Sequence, residues 1–416
     1  MNILYLEHYA GSPEMGMEFR PYYLSREWVK AGHRVRMVAG DYSHLRRKNP
    51  TVTADWTEED IDGITYTWVR TGTYSGNGVS RALTMFRFVW KLWRRASRIA
   101  REWKPDVVIT SSTYPLDSFA GYRIAKKAHA KYIHEEHDMW PSTLYEVGGM
   151  GRHHPFVLLM GLGERYTYKH CDRCVALHSH AEPYMRQHGL AEGKYVNIQN
   201  GVVEEEWEHP EPLPEAHRAF FEEVRGKFIV GYFGGHAVSN ALDYMLDAAK
   251  AMREEKDILF VLVGDGVEKP RLMKRAEEEG ISNVRFLPSV PKRSVPSLLK
   301  EFDCVYITGQ ESPLYRFGLS LNKIYDTMMA GVPLICSFDA PDMLVDQYEC
   351  GIGCSPGKPE TVLRAIRKIR DMSEEERAAM GQRGRKAVLE RFTYRKLAEQ
   401  FEGVFHDHNA IPGKEA

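Results

Sequence analysis

The chain has no apolar run near the roughly 18 residues that a membrane-spanning helix needs. Its longest runs, such as residues 156–163, have the length of buried core segments. It opens Met-Asn-Ile-Leu-Tyr-Leu, a strand pattern without the charged and apolar regions of a secretion signal. An excess of either charge is also missing. Lys and Arg number 56 against 57 Asp and Glu, so nothing global calls for a nucleic-acid partner. There are only six cysteines, Cys171, Cys174, Cys304, Cys336, Cys350 and Cys354. Several sit in apolar strand-like runs, which fits buried thiols in a reducing compartment, and the expected location is cytoplasmic. Two phosphate-binding fingerprints are absent as well. Gly11 and Gly16 have P-loop spacing, but Met17 stands where the lysine belongs, and no Gly-x-Gly-x-x-Gly follows the first strand. The second absence disfavours a nicotinamide oxidoreductase.

What the chain does contain is an alternation of short apolar runs with helix-length segments, the pattern of parallel α/β domains. Strands are expected at residues 3–6, 35–39, 107–110, 132–135, 174–177 and 195–198. A first helix over 18–30 ends at Ala31-Gly32-His33. After a stretch rich in Glu, Pro and His at 204–220 the rhythm restarts. Strands follow at 228–233, 258–263, 284–287, 304–307 and 333–336, with a helix at 242–252. A last helix is expected at 394–405, and residues 409–416 are expected to fray. The organisation read from this is one Rossmann-like domain over residues 1–205, a second over 206–390, and a C-terminal helix and tail over 391–416 packing back toward the first.

Open parallel sheets hold ligands at the carboxyl ends of their strands. In the loop after the first strand, Gly16 either brings amides to a phosphate or makes an ordinary turn. Gly234-Gly235-His236 permits close backbone approach by a ligand, or is a tight turn with Ser239 or Asn240 capping the next helix. Gly264-Asp265-Gly266 precedes Lys269, a cation for a diphosphate or a solvated first-turn residue. Residues 317–335 read as loop, helix, glycine stop, strand. Ser320 is placed to cap that helix, whose N-terminus is then an anion site with Asn322 and Lys323 in its first turn. Asp326, three residues on from Lys323, either accepts both hydroxyls of a ribose or pairs with Lys323. His137 and Asp138 follow the strand at 132–135.

These pieces form an ordered set over nearly the whole chain. It runs through Gly16, Ala31-Gly32-His33, Lys104-Pro105-Asp106-Val107-Val108-Ile109, His137-Asp138-Met139-Trp140-Pro141 and Asn200-Gly201-Val202. It continues with Gly234-Gly235-His236, Gly264-Asp265-Gly266, Asn322-Lys323-Ile324-Tyr325-Asp326 and Ala330-Gly331-Val332-Pro333. The set resembles retaining glycosyltransferase family 4, with the GT-B fold: two Rossmann-like domains whose parallel sheets face a central cleft. Within that family the chain is similar to enzymes that build O-antigen and capsule units, typified by N-acetylfucosaminyltransferases.

The resemblance implies a retaining transferase acting in cell-surface polysaccharide synthesis. It would move a sugar, of N-acetyl amino type, from a nucleoside-diphosphate donor, UDP-linked, to a polyprenyl-diphosphate-linked or other glycan acceptor. The first domain would serve the acceptor side and the second the nucleotide-sugar. Gly16 would approach the diphosphate, and His137 and Asp138 would act at the transferred sugar. Gly234, Gly235, His236, Gly264, Lys269, Ser320, Asn322 and Lys323 would line the donor. Asp326 would be the second acid of the Glu-x7-Glu motif, on the ribose. Gly318 stands where the first Glu belongs, and His236 and Asn240 stand where many members carry Arg and Lys. No cofactor or metal is expected, because amides, helix N-termini and lysines suit a departing diphosphate. A front-face mechanism, in which the diphosphate takes the acceptor's proton, needs no side-chain base.

Residues 81–104 hold Arg81, Arg87, Lys91, Arg94, Arg95, Arg98, Arg101 and Lys104 against one acid, Glu102, with Phe86, Phe88, Trp90 and Trp93 interleaved. Such a helix either packs in a core with a solvated basic face or lies on an anionic membrane surface, here the inner face of the cell membrane. His170, Cys171, Cys174, His178 and His180 have metal-like spacing, but no second pair completes a zinc pattern. The alternatives to a lipid-linked acceptor are another GT-B nucleotide-sugar enzyme, an epimerase or soluble-acceptor synthase, and a catalytically silent nucleotide-sugar binding protein.

Overall fold

The computed structural model describes residues 1–16, 19–76 and 78–406. Met17 and the tail 409–416 lie outside them. The chain forms two compact units. One is residues 1–199 together with the last helix, Tyr394–His406, and the other is residues 200–393.

The first unit has eight strands: β1 (Asn2–Leu6), β2 (Arg34–Gly40), β3 (Thr57–Ile61), β4 (Ile64–Val69), β5 (Val107–Thr110), β6 (Lys131–Glu136), β7 (Arg173–Ala176) and β8 (Tyr195–Asn197). Their order is β3-β4-β2-β1-β5-β6-β7-β8, parallel except for the β3–β4 hairpin. Between them run α1 (Phe19–Lys30), α2 (Val79–Trp103), α3 (Asp117–Ala128), the short α4 (Ser142–Glu146) and α5 (Pro155–His170). The hairpin was not expected from sequence. Its acidic first strand, Thr-Glu-Glu-Asp-Ile, has no apolar alternation. Its turn is nevertheless well specified, since Asp62 and Gly63 both take positive φ, 53° and 80°, as a two-residue hairpin loop requires.

The second unit has six parallel strands: β9 (Phe228–Phe233), β10 (Ile258–Val263), β11 (Val284–Leu287), β12 (Cys304–Thr308), β13 (Leu334–Ser337) and β14 (Gly351–Cys354). Their order is β11-β10-β9-β12-β13-β14. Every residue of β9, β10, β12 and β13 is buried, because core packs on both sheet faces. That is why these strands read as unbroken apolar runs. The expected strands lie within one residue of the observed ends. Only β14, half glycine, gave no apolar signal.

The last helix packs on α1. Trp28 of α1 is fully buried, its Nε1–H donates to Ala398 O at 3.2 Å, and its ring lies 5.3 and 5.1 Å from those of Phe401 and Phe405. His33 Nε2 meets Glu402 at 3.0 Å. Beside the second crossing of the chain, Val202 N–H donates to Phe392 O and Val202 bridges to Thr393. Truncating Trp28 leaves a large cavity between the two helices. Trp28→Ala is expected to destabilise the first unit by ~3–5 kcal/mol, read as a shifted denaturant midpoint.

Candidate active site

Both sheets reverse their winding once, between β1 and β5 in the first unit and between β9 and β12 in the second. A crevice opens at the carboxyl ends of the strands at such a point.

In the first unit, β6 carries charge through the sheet. Glu135 faces one side and His134 and Glu136 the other, by strand alternation. The Glu135 carboxylate is fully buried. Arg20 Nε donates to it at 2.9 Å, Ser111 Oγ at 2.6 Å, and Tyr5 through its hydroxyl. His137 Nε2 lies 3.0 Å from Glu135 and 3.0 Å from Ser111 Oγ. Burial alone would raise this carboxyl. The Arg20 charge, with His137 and Ser111, outweighs it and holds Glu135 well below the usual range. Arg20 is itself anchored, donating to Gln199 O at 2.6 Å and Ile198 O at 2.9 Å. The His137 ring is therefore oriented by a buried ionised carboxylate, while Asp138 beside it is exposed. On the opposite face, Tyr168 donates to Glu136 at 3.1 Å and Thr110 Oγ1 meets His134 at 3.0 Å. Neighbouring Glu164 is pushed up to about 8 by burial and by the Glu136 charge.

Gly16 does not present its amide. It takes φ +81°, its N–H donates to Ser12 O at 3.0 Å, and the Arg47 stem packs where a Cβ would stand. The glycine serves a turn, the second of the two readings given for it.

In the second unit, the loops after β9 and β10 interlock. A Cβ at Gly264 would lie 1.9 Å from Gly234 O, and one at Gly266 would lie 2.4 Å from His236 O. Gly264 and Gly266 are thus required by loop-on-loop packing. His236 is turned inward. Its ring is fully buried, with neither nitrogen hydrogen-bonded, and desolvation, with the nearby Lys269 charge, lowers it to about 4. A neutral, covered imidazole makes no side-chain contact with a diphosphate, so the donor role expected of His236 does not fit this geometry. Lys269 is neither a free cation nor solvated. Its ammonium donates to Gly264 O at 2.7 Å, Leu287 O at 2.9 Å and Asp265 at 3.1 Å, which uses all three protons.

Lys323 is different. Its ammonium donates to Tyr232 OH at 2.9 Å and Asn240 Oδ1 at 2.9 Å, both neutral, and lies 4.8 Å from the Tyr232 ring centre. Tyr232 OH and Asn240 Nδ2 both donate to Gly235 O, at 2.7 and 2.9 Å. The four groups form a closed ring, and the space above Gly235 is open. Desolvation lowers Lys323 to about 8. Asn240 caps no helix, contrary to expectation. Residues Val238–Asn240 make a single tight turn and Asp243–Ala251 starts later.

Lys323 stands in the first turn of the helix Asn322–Ala330, whose N-terminus no side chain caps. Ser320 was expected to cap it, but its Oγ instead accepts from Asn200 N–H at 2.9 Å and meets Tyr325 OH at 3.3 Å. Asn200 Nδ2 donates to Ser320 O at 2.9 Å, so Asn200-Gly201-Val202 and the Ser320 loop form one piece. Exposed Asn322 opens the helix. Asp326 makes no ion pair with Lys323. Its half-buried carboxyl is raised to about 7, first by desolvation, with Lys292 opposing and Glu206 adding.

Sequence reasoning missed Arg20, Ser111, Glu135 and Tyr232. For Glu135 a signal existed: charges at 134–136 inside a strand with both faces covered need partners. Cys171 and Cys174 are buried against Tyr168 O and Met185 Sδ, and no group of three or more metal-ligating side chains occurs among the described residues. The chain's one Asp-x-Asp triplet, Asp60-Ile61-Asp62, closes the β3–β4 hairpin, with Asp60 accepting from Gly63 N–H and Asp62 from Tyr22.

Two family models match in tandem: a glycosyl transferase 4-like domain over residues 15–201 and glycosyl transferases group 1 over residues 215–387. A protein of Escherichia coli (strain K12) described as a colanic acid biosynthesis glycosyl transferase, WcaI, is 26% identical over 208 residues. That match spans 49% of this chain and about half, 51%, of the relative. Sucrose-phosphate synthase from Thermosynechococcus elongatus superposes with a TM-score of 0.71 at 16% identity, covering 98% of this chain and 99% of that one. HepE from Anabaena, in complex with UDP and glucose, superposes with a TM-score of 0.64 at 15% identity, covering 97% and 99%. With two doubly wound parallel-sheet units and these tandem matches, the chain belongs to the GT-B glycosyltransferases, with a glycosyl transferase 4-like domain followed by a group 1 domain.

Proposed function

We propose that the chain is a retaining glycosyltransferase. It takes a sugar, of N-acetyl amino type, from a UDP-linked donor and places it on a lipid-linked or other glycan acceptor of a cell-surface polysaccharide. The observation that carries this reading is the Lys323 ammonium. It is held in place by two neutral acceptors, has a third proton unused, and stands at an uncapped helix start beside open space at Gly235. A desolvated cation with no carboxylate partner suits an anion, and a diphosphate supplies one. Asp326, one turn on and without a hydrogen-bond partner among the described residues, fits the two hydroxyls of a ribose. HepE, of the same fold, was crystallised with UDP-glucose, which supports a uridine donor. His137, fixed by Glu135 and Ser111, is assigned to the transferred sugar, with exposed Asp138 next to it. In this scheme charge on the departing diphosphate is stabilised by Lys323 and the helix start, with no metal, and the diphosphate accepts the acceptor's proton.

The ionisations set the pH dependence. The diphosphate of UDP-glucose does not titrate near neutrality, so the protein groups decide. Affinity rises as Asp326 ionises through about 7 and falls as Lys323 loses its proton above about 8. Calorimetric titration of UDP-glucose is expected to show both limbs. Lys323→Met should weaken binding about 10- to 100-fold and flatten the alkaline limb, as loss of a charge-assisted hydrogen bond does. Asp326→Asn should flatten the acid limb. A flat wild-type profile with unaltered variants would refute the donor site.

His137→Ala is expected to lower transfer at least ~100-fold while leaving UDP-glucose affinity within a factor of about two. Transfer within about threefold of wild type would remove His137 from the reacting centre. Restoring the first Glu of the Glu-x7-Glu motif should not help. Gly318 takes φ +99°, so Gly318→Glu is expected to cost ~1–2 kcal/mol in unfolding measurements without raising turnover.

A further inference from the structure

Helices α2, α3 and α5 pack side by side, with α3 against both others. The sheet-facing residues of α2, including Met85, Phe88, Leu92, Ala96 and Ile99, are buried. The same helix carries a second apolar stripe on its outer side: Val79, Leu83, Phe86, Trp90 and Trp93. Their spacings alternate between four and three, so they line one helix face. Trp90 is 54% exposed and Trp93 44%. On α5, Leu158 and Leu162, one turn apart, are 53% and 61% exposed. An amphipathic helix has one apolar face to hide, and a second one in water on two neighbouring helices marks a surface meant to be covered.

Charge says by what. Along α2 the stripe is followed by exposed Arg94, Arg98 and Arg101, and along α5 the exposed face continues with Arg165 and Lys169. Lys126 and Lys127 of α3 are exposed between them. Arg123 and Arg94 lie 4.0 and 4.8 Å over the Trp93 and Trp90 rings. Of the acids on the three helices, Asp117 and Glu164 are buried and only Glu102 reaches solvent. A second copy of this face would set arginine against arginine. An apolar protein partner would leave the basic rows unanswered. A bilayer with anionic headgroups meets both features, with aromatics at the headgroup level and guanidinium groups on phosphates.

Orientation follows from topology. Crossover helices run antiparallel to the strands of a parallel sheet, so their first turns stand at the carboxyl ends. In α2 and α5 the apolar residues come first and the cations later. The apolar end of the face therefore lies at the same end of the sheet as His137. Val147, 58% exposed just after α4, lies in the β6–α5 connection at that end too. No described helix is long and apolar enough to cross a membrane. We propose that the outer face of α2, α3 and α5 docks flat on an anionic lipid bilayer, its apolar stripe in the headgroup boundary and the carboxyl end of the first sheet held at the lipid surface. This rests on the surface alone and not on the donor site.

The full chain is to be sedimented with phosphatidylglycerol–phosphatidylcholine vesicles and with phosphatidylcholine vesicles. Binding is expected to the first, at least about tenfold weaker to the second, and weakened by high salt. Lipids brominated in the upper acyl chain are expected to quench tryptophan fluorescence. Leu83→Glu/Trp90→Glu should lose binding at least about tenfold while UDP affinity and unfolding midpoint hold. If that variant folds poorly, Arg94→Gln/Arg98→Gln/Arg101→Gln serves, with the same loss expected. Three results would overturn the proposal: no sedimentation with anionic vesicles, binding without bromolipid quenching, or a dimer by light scattering that the Leu83→Glu/Trp90→Glu change dissolves. Failure of the wild type to bind UDP would count against the donor site and leave this proposal standing.

Discussion

The loops after β9 and β10 in the second unit depend on backbone approaching backbone at distances no side chain would permit. Gly264 and Gly266 abut Gly234 O and His236 O, and a Cβ at Gly234 would lie 2.7 Å from Lys323 Cε. These contacts let the loops after β9 and β10 lock through His236 N–H to Asp265 O and Glu268 N–H to His236 O, 2.8 and 3.0 Å. Lys269 then fastens the loop by filling three acceptors at once. With the loop fixed, Gly235 O has one position, and Tyr232 and Asn240 converge on it. That ring is what holds Lys323. The family resemblance put His236 and Lys269 at the ligand, whereas the glycine packing turns the His236 ring inward and Lys269 is tied to two carbonyls and Asp265.

The first unit solves a different problem, that of orienting a histidine. Burying Glu135 and Arg20 together is costly, since the desolvation of two charges offsets most of their attraction. The pair is thus poor evidence for stability. What it supplies is direction. Arg20 is pinned by the carbonyls of Ile198 and Gln199, Glu135 by Arg20, Tyr5 and Ser111, and His137 by Glu135 and Ser111. Each link removes freedom from the next, so the ring nitrogen facing Glu135 has a settled position.

Much of the fold was legible in the sequence for a simple reason. Strands buried on both faces leave no choice of residue, so residues 228–233 and 258–263 read as unbroken apolar runs and were placed to the residue. β3 and β14 were not legible, because one is an acidic edge strand and the other half glycine; β4, Ile-Thr-Tyr-Thr-Trp-Val, carries an apolar alternation that was passed over. The site was legible at the level of loops and not of side chains. Glycines flagged the loops after β9 and β10, but a glycine needed for packing and one needed for a ligand look alike in sequence. Asn240 reads as a cap by type, and only the position of Lys323 shows that its amide bridges a cation. Arg20 sits in a helix with an ordinary amphipathic pattern, and its partner lies 115 residues away.

In the proposed donor site the placement of the cation has a physical consequence. Many relatives are expected to carry lysine near residue 240, on the loop after β9. Here an asparagine stands there and the lysine comes from the helix start, meeting that asparagine at 2.9 Å. A lysine on a loop must be drawn out of water as the anion binds, and its four-carbon stem must be ordered at that moment. Lys323 is already desolvated and already ordered by Tyr232 and Asn240, so both costs fall on folding and not on binding. Folding bears that cost as a lysine with a lowered pKa and no carboxylate beside it. A carboxylate there would relieve the strain on the lysine and compete with the anion for its remaining proton. In the proposed donor site the neutral acceptors are therefore the functional part of the arrangement. They hold the charge still without cancelling it.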